Sequence, residues 1–172
     1  MTKSSKLKKE QVLSSVDIIV SQSDLDGFII YANPIFYKIA GYNYGELIGE
    51  NHNIIRHEDM PKTIFNLLWE ELKNKNEVYS LVKNRCKDGG FYWVFAHIRP
   101  SFNKDGTVRN YISTRRAASQ KAKSIIEPIY QQLLEIEKDN DIEFAKEQFK
   151  EFINRNRYQN QSNNDVIYNI QY

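Results

Sequence analysis

The feature that most constrains this chain is a pair of tight-turn signals in its second half. The signals are Lys87-Asp88-Gly89-Gly90 and Asn103-Lys104-Asp105-Gly106, and both contain residues that tolerate a positive φ. The runs around them, residues 77–85, 91–100 and 108–114, are rich in β-branched and aromatic residues. The pattern therefore predicts three antiparallel strands joined by two hairpins.

An earlier hairpin and two helices complete the predicted core. The turn Asp24-Leu25-Asp26-Gly27 separates two short β-rich runs, and Asn33 with Pro34 marks the N-cap and first position of a helix. A longer helix begins at Pro61, with one apolar face formed by Ile64, Phe65, Leu68, Trp69 and Leu72. The sequence predicts an α+β fold, a five-stranded antiparallel sheet with short helices on one face.

The flanking segments are predicted to be separate from this domain. Residues 1–15 are Lys-rich and suit a helical arm, residues 16–117 form the domain, and the Asn-rich and Gln-rich residues 156–172 suit a loosely ordered tail. Residues 118–155 are predicted to be helical because apolar residues recur there at helical spacing. The first such stripe is Ile126, Ile129, Leu133 and Ile136, and the second is Ile142, Ala145, Phe149 and Phe152.

Composition excludes several classes of protein. The net charge of +2 gives no reason to expect nucleic acid or anionic membranes as partners. No apolar run approaches the roughly 18 residues of a membrane span, so we expect no direct membrane insertion and a cytoplasmic location. Cys86 is the single cysteine, which rules out an internal disulfide and a CxxC zinc site.

The densest group of chemically capable side chains lies in residues 51–69. His52, Arg56, His57 and Asp59 follow a glycine-punctuated segment and precede the helix that begins near Pro61. Polar residues this close together at a loop-to-helix junction are typical of a small concave binding site.

Several short motifs carry a resemblance to a known family. The residues Asp26-Gly27, Tyr31-Ala32-Asn33-Pro34, Gly41-Tyr42 and Glu46-Leu47-Ile48-Gly49 resemble the general PAS pattern. The motifs His52-Asn53, Arg56-His57, Asp59-Met60-Pro61, Trp69, Lys83-Asn84-Arg85 and Tyr92-Trp93-Val94 are similar to FAD-binding PAS domains of the bacterial aerotaxis and energy-taxis type, both Aer-like and stand-alone CetB-like. The resemblance covers about residues 17–116. One departure is Val78 and Ser80, which stand where the family commonly has Trp and then Gly.

This resemblance implies a PAS fold that holds FAD without covalent attachment. A flavin needs a flat apolar slot, hydrogen-bond partners for its ring and positive charge near its phosphates. The candidate cofactor-binding residues are Asn33, His52, Arg56, His57, Asp59, Trp69, Asn84, Tyr92 and Trp93. Arg56 is the candidate for the phosphates, because its planar fork binds oxyanions bidentately. Tyr92 and Trp93 alternate across a strand, so one of them is expected to face away from the ligand.

The resemblance also implies a redox or oxygen sensor that signals to a separate membrane-bound methyl-accepting chemotaxis-type transducer, and through it associates with the membrane. The apolar stripe of residues 126–136 is expected to contact that transducer, this chain's own sheet or a second copy in a homodimer. An enzyme is not expected, because no Ser-His-Asp order, phosphate loop or HExxH motif is present. Two alternatives stay open: a haem-binding gas sensor that uses His52 or His57, and a cofactor-free dimerisation or interaction module.

Overall fold

The order of helices and strands follows the predicted one. The structure is a computed structural model that describes residues 9–155 and 161–172. Its strands are β1 (Ile19–Ser23), β2 (Ile29–Ala32), β3 (Val78–Arg85), β4 (Phe91–Phe102) and β5 (Val108–Ala117). Its helices are α1 (Pro34–Ala40), α2 (Lys62–Lys73), α3 (Gln120–Asp139), α4 (Ile142–Arg155) and α5 (Asn163–Gln171), with a short 3-10 helix at His52–Ile55. Across the two described ranges, no helix has the length and apolar character of a membrane span.

The five strands form one antiparallel sheet in the order β2-β1-β5-β4-β3. This confirms the predicted α+β fold and its two hairpins in the second half of the chain. The hairpin turns lie at Gly89 and Gly106, whose φ angles of 89° and 80° favour glycine. In this strand order the β1–β2 hairpin lies beside the last strand, so that β1 pairs with β5 in the centre of the sheet.

The sheet is covered on both faces. The inner face, which carries Ala96 and Ile98 of β4, lies toward the 3-10 helix and α2. The outer face carries Trp93, which stacks on Tyr130 of α3 with ring centroids 6.2 Å apart. The Tyr130 hydroxyl also donates to the Leu81 carbonyl at 2.7 Å. The 3-10 helix and α2 thus lie over the inner face of the sheet, and α3 and α5 lie over the outer face.

The predicted apolar stripe of α3 packs within this chain. Ile126, Ile129 and Leu133 are buried and belong to the main core, whereas Ile136 is half-buried. Of the alternatives for this stripe, the structure shows packing on the chain's own sheet. In α4 the buried apolar residues are Ala145, Phe149 and Ile153, while Ile142 and Phe152 are half-buried.

The N-terminal segment differs from the predicted helical arm. Residues 9–15 are not helical: Gln11 donates its backbone N–H to the Phe91 carbonyl at 2.7 Å, and Phe91 donates to the Lys9 carbonyl at 3.2 Å. The reason is that β5 pairs with β4 only from Val94 onward, which leaves the backbone groups of Phe91 to be satisfied by another segment. The arm also forms an ion pair between Glu10 and Lys123 of α3 at 2.7 Å. Residues 1–8 lie outside the described residues.

The C-terminal segment also differs from the loosely ordered tail that was predicted. Residues 163–171 form α5, which begins with a capping box between Ser162 and Asp165 and buries Val166, Ile167 and Ile170. The Asn164 side chain accepts from the Tyr79 N–H and donates to the Glu77 carbonyl, both at 2.8 Å. It thereby satisfies backbone groups at the free edge of β3, a tertiary role that composition does not reveal. Residues 156–160 lie outside the described residues.

The N-terminus of α2 is capped by a carboxylate from another helix. Its own N-cap residue, Pro61, makes no side-chain capping bond. Glu137 of α3 accepts instead from the Lys62 N–H at 3.0 Å and from both the N–H and the hydroxyl of Thr63 at 2.8 Å. A negative charge at this position satisfies free N–H groups and favours the helix dipole. On its outer side, α2 also contacts α4 through the Glu70–Lys146 ion pair.

We expect Glu137→Ala to lower the free energy of unfolding by about 1–2 kcal/mol, the range measured when a helix loses its N-cap. Glu135→Ala is the matched control, since Glu135 lies on the same helix but pairs only with the exposed Lys138. Urea unfolding followed by circular dichroism measures both variants. Equal stability of the two variants would show that the Glu137 cap contributes nothing beyond a surface charge.

Candidate functional site

A cavity of about 190 Å³ lies between the inner face of the sheet, the 3-10 helix and α2. Its apolar walls include Ile55, Phe65, Leu68, Trp69, Leu72, Val82, Ala96, Ile98 and Tyr111, and its polar lining includes Ser21, Asn51, His52, Arg56, Asn84, Ser113 and Arg115. Asp26 and Asn53 are exposed lining residues and mark its mouth. The volume is below the roughly 300–1,000 Å³ of drug-sized ligand sites. The cavity is therefore smaller than a typical drug-sized site, and the exposed residues Asp26 and Asn53 border its opening.

Four of the predicted site residues line this cavity: His52, Arg56, Trp69 and Asn84. Arg56 and Asn84 are joined by an isolated antiparallel bridge, which places both side chains on the inner face. Arg56 donates from Nη2 to the Met60 carbonyl at 3.0 Å, and its guanidinium carbon lies 4.6 Å from the centre of the Phe65 ring. Arg56 is partly buried, and burial lowers the pKa of its guanidinium.

Trp69 forms part of the wall near the mouth. Its ring packs edge-on against Tyr111 with centroids 5.5 Å apart. It also approaches Gly27 so closely that a Cβ at that position would lie 3.3 Å from the indole. Gly27 has a φ of 87°, so the β1–β2 turn and the close approach of Trp69 both require glycine there.

Asn33 does not line the cavity, and its side chain forms hydrogen bonds within the fold. Its Oδ1 accepts from the Phe36 N–H at 3.2 Å and from the Val20 N–H at 3.0 Å, and its Nδ2 donates to the Ile18 carbonyl at 2.8 Å. The amide therefore caps α1 and ties it to β1. These bonds occupy the amide within the fold, and Asn33 is not among the residues that line the cavity.

His57 and Asp59 lie away from the cavity. The bridge that turns Arg56 inward turns its neighbour His57 to the opposite side, where the imidazole packs edge-on against Phe91 at 5.7 Å. His57 Nδ1 accepts from the Asp59 N–H at 3.1 Å, and the Asp59 carboxylate forms an ion pair with Lys83 at 2.6 Å. These two residues fix the loop that leads into α2.

Tyr92 and Trp93 divide between the two faces, as the alternation predicted. Trp93 lies on the outer face against Tyr130, and so is not a wall of the cavity. Tyr92 is fully buried opposite Asn84 in the β3–β4 register and does not itself line the cavity. Burial raises the pKa of its hydroxyl. Val78 and Ser80, which differ from the Trp and Gly common in the family, are both buried, and neither lines the cavity.

The sequence analysis missed the most unusual side chain of the site, Arg115 of β5. Arg115 is only 6% exposed, and its Nη2 donates to Ser21 Oγ at 3.0 Å and to His52 Nε2 at 3.2 Å. Its guanidinium carbon also lies 5.1 Å from the centre of the Phe36 ring. The available signal was the spacing of two that puts Tyr111, Ser113 and Arg115 on one face of a strand. The predicted strand ended at residue 114, three positions before the end of β5 and one position before Arg115.

Among the residues that the structure describes, no carboxylate forms an ion pair with Arg115. Burial lowers the pKa of Arg115 to about 10, so the guanidinium stays protonated at neutral pH. Of the described residues that line the cavity, Asp26 alone is acidic, and it is exposed at the mouth. Arg115 Nη1, Ser113 Oγ and Tyr92 Oη are the buried side-chain atoms in the described ranges without a hydrogen-bond partner. Buried polar atoms are rarely left in this state, so the cavity is arranged to meet a further polar group.

His52 is held neutral by these neighbours. Because Arg115 can only donate, His52 Nε2 must accept, which assigns the ring proton to Nδ1. Ser21 Oγ lies 3.1 Å from the same nitrogen and can donate to it as well. Burial and then the charge of Arg115 lower the pKa of His52 well below 6.5.

The depressed pKa of His52 predicts a loss of stability in mild acid. Below about pH 6.5 the unfolded chain binds a proton at this imidazole that the folded chain does not, so the free energy of unfolding falls by up to about 1.4 kcal/mol per pH unit. Urea unfolding between pH 7.5 and 5.5 measures the slope. His52→Asn should flatten it, whereas His97→Asn, which removes a half-exposed imidazole paired with Glu77, should not. Equal slopes for wild type and His52→Asn would show that folding does not depress the pKa of His52.

No metal cluster accompanies the cavity. Within residues 9–155 and 161–172, no three His, Cys, Asp or Glu side chains are placed to share a metal ion. Cys86 lies in the β3–β4 hairpin outside the cavity and donates to the Ile39 carbonyl at 3.3 Å. Burial raises the pKa of its thiol to about 11.

Comparison with known proteins agrees with this architecture. The aerotaxis receptor of Escherichia coli (strain K12) is 38% identical over 115 residues, which are 67% of this chain and 22% of that receptor. The light-state structure of the blue-light photoreceptor Aureochrome1 LOV superposes with a TM-score of 0.58 at 16% identity, covering 62% of this chain and 86% of that one. A light-oxygen-voltage domain whose mechanism was probed with a flavin analogue superposes with a TM-score of 0.57 at 22% identity, covering 67% and 87%.

A sequence model of the PAS fold matches residues 29–115, the span from β2 through Arg115. That span contains the turn into α1, the 3-10 helix, α2 and the three long strands, and hence most of the cavity lining. The chain belongs to the PAS fold family, and 115 of its residues are related to a stretch that makes up 22% of the aerotaxis receptor.

Proposed function

We propose that this chain is a sensory PAS module that binds FAD without covalent attachment and reports the redox state of its surroundings. The observation that carries the proposal is the cavity itself, which joins apolar walls to two buried polar atoms without partners, Arg115 Nη1 and Ser113 Oγ. A flavin matches this lining because one edge of its ring carries carbonyl oxygens and ring nitrogens, while the rest is apolar. The proposed role is signalling, with no catalysis of its own.

The dimensions of the site also suit such a ligand. A cavity of about 190 Å³ accommodates part of a flavin nucleotide, and the mouth at Asp26 and Asn53 leaves a path for the remainder. Arg56, half-buried and planar, is the cation that suits the phosphates. Asn84 can donate and accept at the ring edge from its buried position on β3. A bound flavin would supply reversible electron uptake, and the side chains named here would hold and orient it.

The structure offers less support to two other cofactor chemistries, haem ligation and a covalent bond between a flavin and a cysteine. A haem would need an imidazole as an iron ligand, yet His52 Nε2 accepts from Arg115, and His57 lies outside the cavity. A light sensor that bonds its flavin to cysteine would need a thiol in the lining, and the chain's single cysteine, Cys86, lies outside it. Non-covalent flavin binding is therefore the proposal that the lining favours.

The output is proposed to pass to a separate membrane-bound chemotaxis-type transducer. The relative that motivates this is an aerotaxis receptor, of which this chain spans 22%. The apolar stripe of α3 is buried against this chain's own sheet, so it does not supply the docking surface that was considered for it. A route for the signal does exist through α2, because α2 forms a cavity wall and its N-terminus is held by Glu137 of α3.

The first test is the cofactor. The purified protein should be yellow, show flavin absorption bands and release FAD on heating. Asn84→Ala should lower FAD affinity by about tenfold, the effect of losing one or two hydrogen bonds in a dry site. Asn103→Ala, in the exposed β4–β5 turn, is the control. Colourless protein that takes up no FAD on reconstitution would refute flavin binding, and a Soret band would favour haem.

The second test is the partner. We expect the protein to co-purify with a methyl-accepting transducer from membranes, to a different extent in oxidised and reduced samples. Glu137→Ala should reduce that difference while leaving FAD occupancy unchanged, because it weakens the contact between the cavity wall and α3. If the protein stays free of any transducer in both states and its loss leaves motility toward oxygen unchanged, the energy-taxis role is wrong.

A further inference from the structure

We propose that Arg115 and Ser113 form a subsite at the buried end of the cavity that binds acceptor atoms of the flavin ring and not the phosphates. This inference rests on the proposed flavin binding and adds to it the orientation of the ligand. It also assigns a role to two residues of β5 that the resemblance did not mark.

The first step concerns charge. The groups around the Arg115 guanidinium are the Ser21 hydroxyl, the neutral imidazole of His52 and the ring of Phe36, and none of them carries a negative charge. Burying an unpaired cation is costly, and proteins normally place a carboxylate beside it. The fold keeps this charge buried beside an open cavity, which is the arrangement expected when the ligand supplies the electron-rich partner.

The second step concerns hydrogen bonding. Arg115 Nη1 and Ser113 Oγ are both without partners, and both belong to residues that line the cavity. They occupy positions i and i+2 of β5 and therefore lie on one face of the strand. A planar heterocycle with carbonyl and imine acceptors along one edge can meet two such donors from a single position. A tetrahedral phosphate would bring its full charge and hydration shell into the same enclosed space.

The third step concerns depth. The cavity has two cations: Arg115, which is 6% exposed, and Arg56, which is half-buried and bonded to the Met60 carbonyl. A flavin nucleotide likewise has two polar ends, a neutral ring edge and an anionic phosphate chain. The less exposed cation suits the ring edge, and the more exposed one suits the phosphates, which keep part of their water.

The fourth step concerns the ligand-free protein. Without a ligand, no ion pair with another described residue offsets the cost of burying Arg115. If Arg115 is replaced by Met, Ser21 Oγ and His52 Nε2 still lie 3.1 Å apart and can bond to each other. The substitution should therefore stabilise the empty protein while it weakens flavin binding. If Arg115 had a purely structural role, the same substitution would destabilise the ligand-free protein.

The experiment compares riboflavin, which has the ring but no phosphate, with FAD. Arg115→Met should lower the affinity for both ligands by the same factor, at least about tenfold, because it removes a charged hydrogen-bond donor from the ring. Ser113→Ala should lower both by a smaller common factor. Arg56→Met should lower the affinity for FAD and leave that for riboflavin unchanged. Arg116→Met, the exposed neighbour on the same strand, is the control and should change neither.

Thermal unfolding of the ligand-free proteins gives the second readout. We expect Arg115→Met to raise the melting temperature by about 2–4 °C relative to wild type, and Arg116→Met to leave it unchanged. If Arg115→Met does not fold, the Ser113→Ala affinities for the two ligands decide the question alone.

Two results would overturn the subsite. One is an unchanged riboflavin affinity in Arg115→Met, whether or not FAD affinity falls, and the other is a ligand-free Arg115→Met protein less stable than wild type. If wild type binds flavin and one of these is seen, the subsite alone is wrong. If wild type binds neither riboflavin nor FAD, the proposed flavin function fails and the subsite fails with it.

Discussion

Side chains alternate across a strand, and the central strands of this protein are covered on both faces, so each position of β4 and β5 is committed to one of two environments. Odd positions of β4, such as Trp93, contact the C-terminal helices, whereas even positions, such as Ala96, face the cavity. A shift of one residue in register would exchange these two sets. The cavity and the packing of α3 therefore depend on the same register, which the two tight hairpins fix.

Those hairpins were also the part of the fold that sequence predicted best. Turn chemistry and alternation are local properties, and the strands they delimit formed where they were expected. The helix from Pro61 was located for the same reason, since a proline start and an apolar face can be seen in one stretch of sequence. Failures occurred where a partner lay far along the chain. Asn164 caps a strand edge 85 residues away, and the arm at Gln11 pairs with Phe91.

The candidate site divides in the same way. His52 and Arg56 line the cavity, but the next residue of the motif, His57, does not. Its orientation follows from a backbone bridge between Arg56 and Asn84 that no spacing rule encodes. Arg115 was missed because a single basic residue near the end of a strand is usually solvated, and only its tertiary neighbours reveal that it is buried. Local sequence patterns identified the loop that forms one wall of the cavity. The residues of the facing wall could be identified only from the assembled sheet.

The pairing of the N-terminal arm with the start of β4 links three parts of the molecule at one corner. The carbonyl of Lys9 lies so near Gly90 that a Cβ there would approach it to 2.8 Å, and Glu10 is ion-paired with Lys123 of α3. Displacement of the arm would therefore disturb both the β3–β4 hairpin and the first turn of α3. Glu137 at the other end of the same helix caps α2, so this corner and the cavity wall are joined through α3.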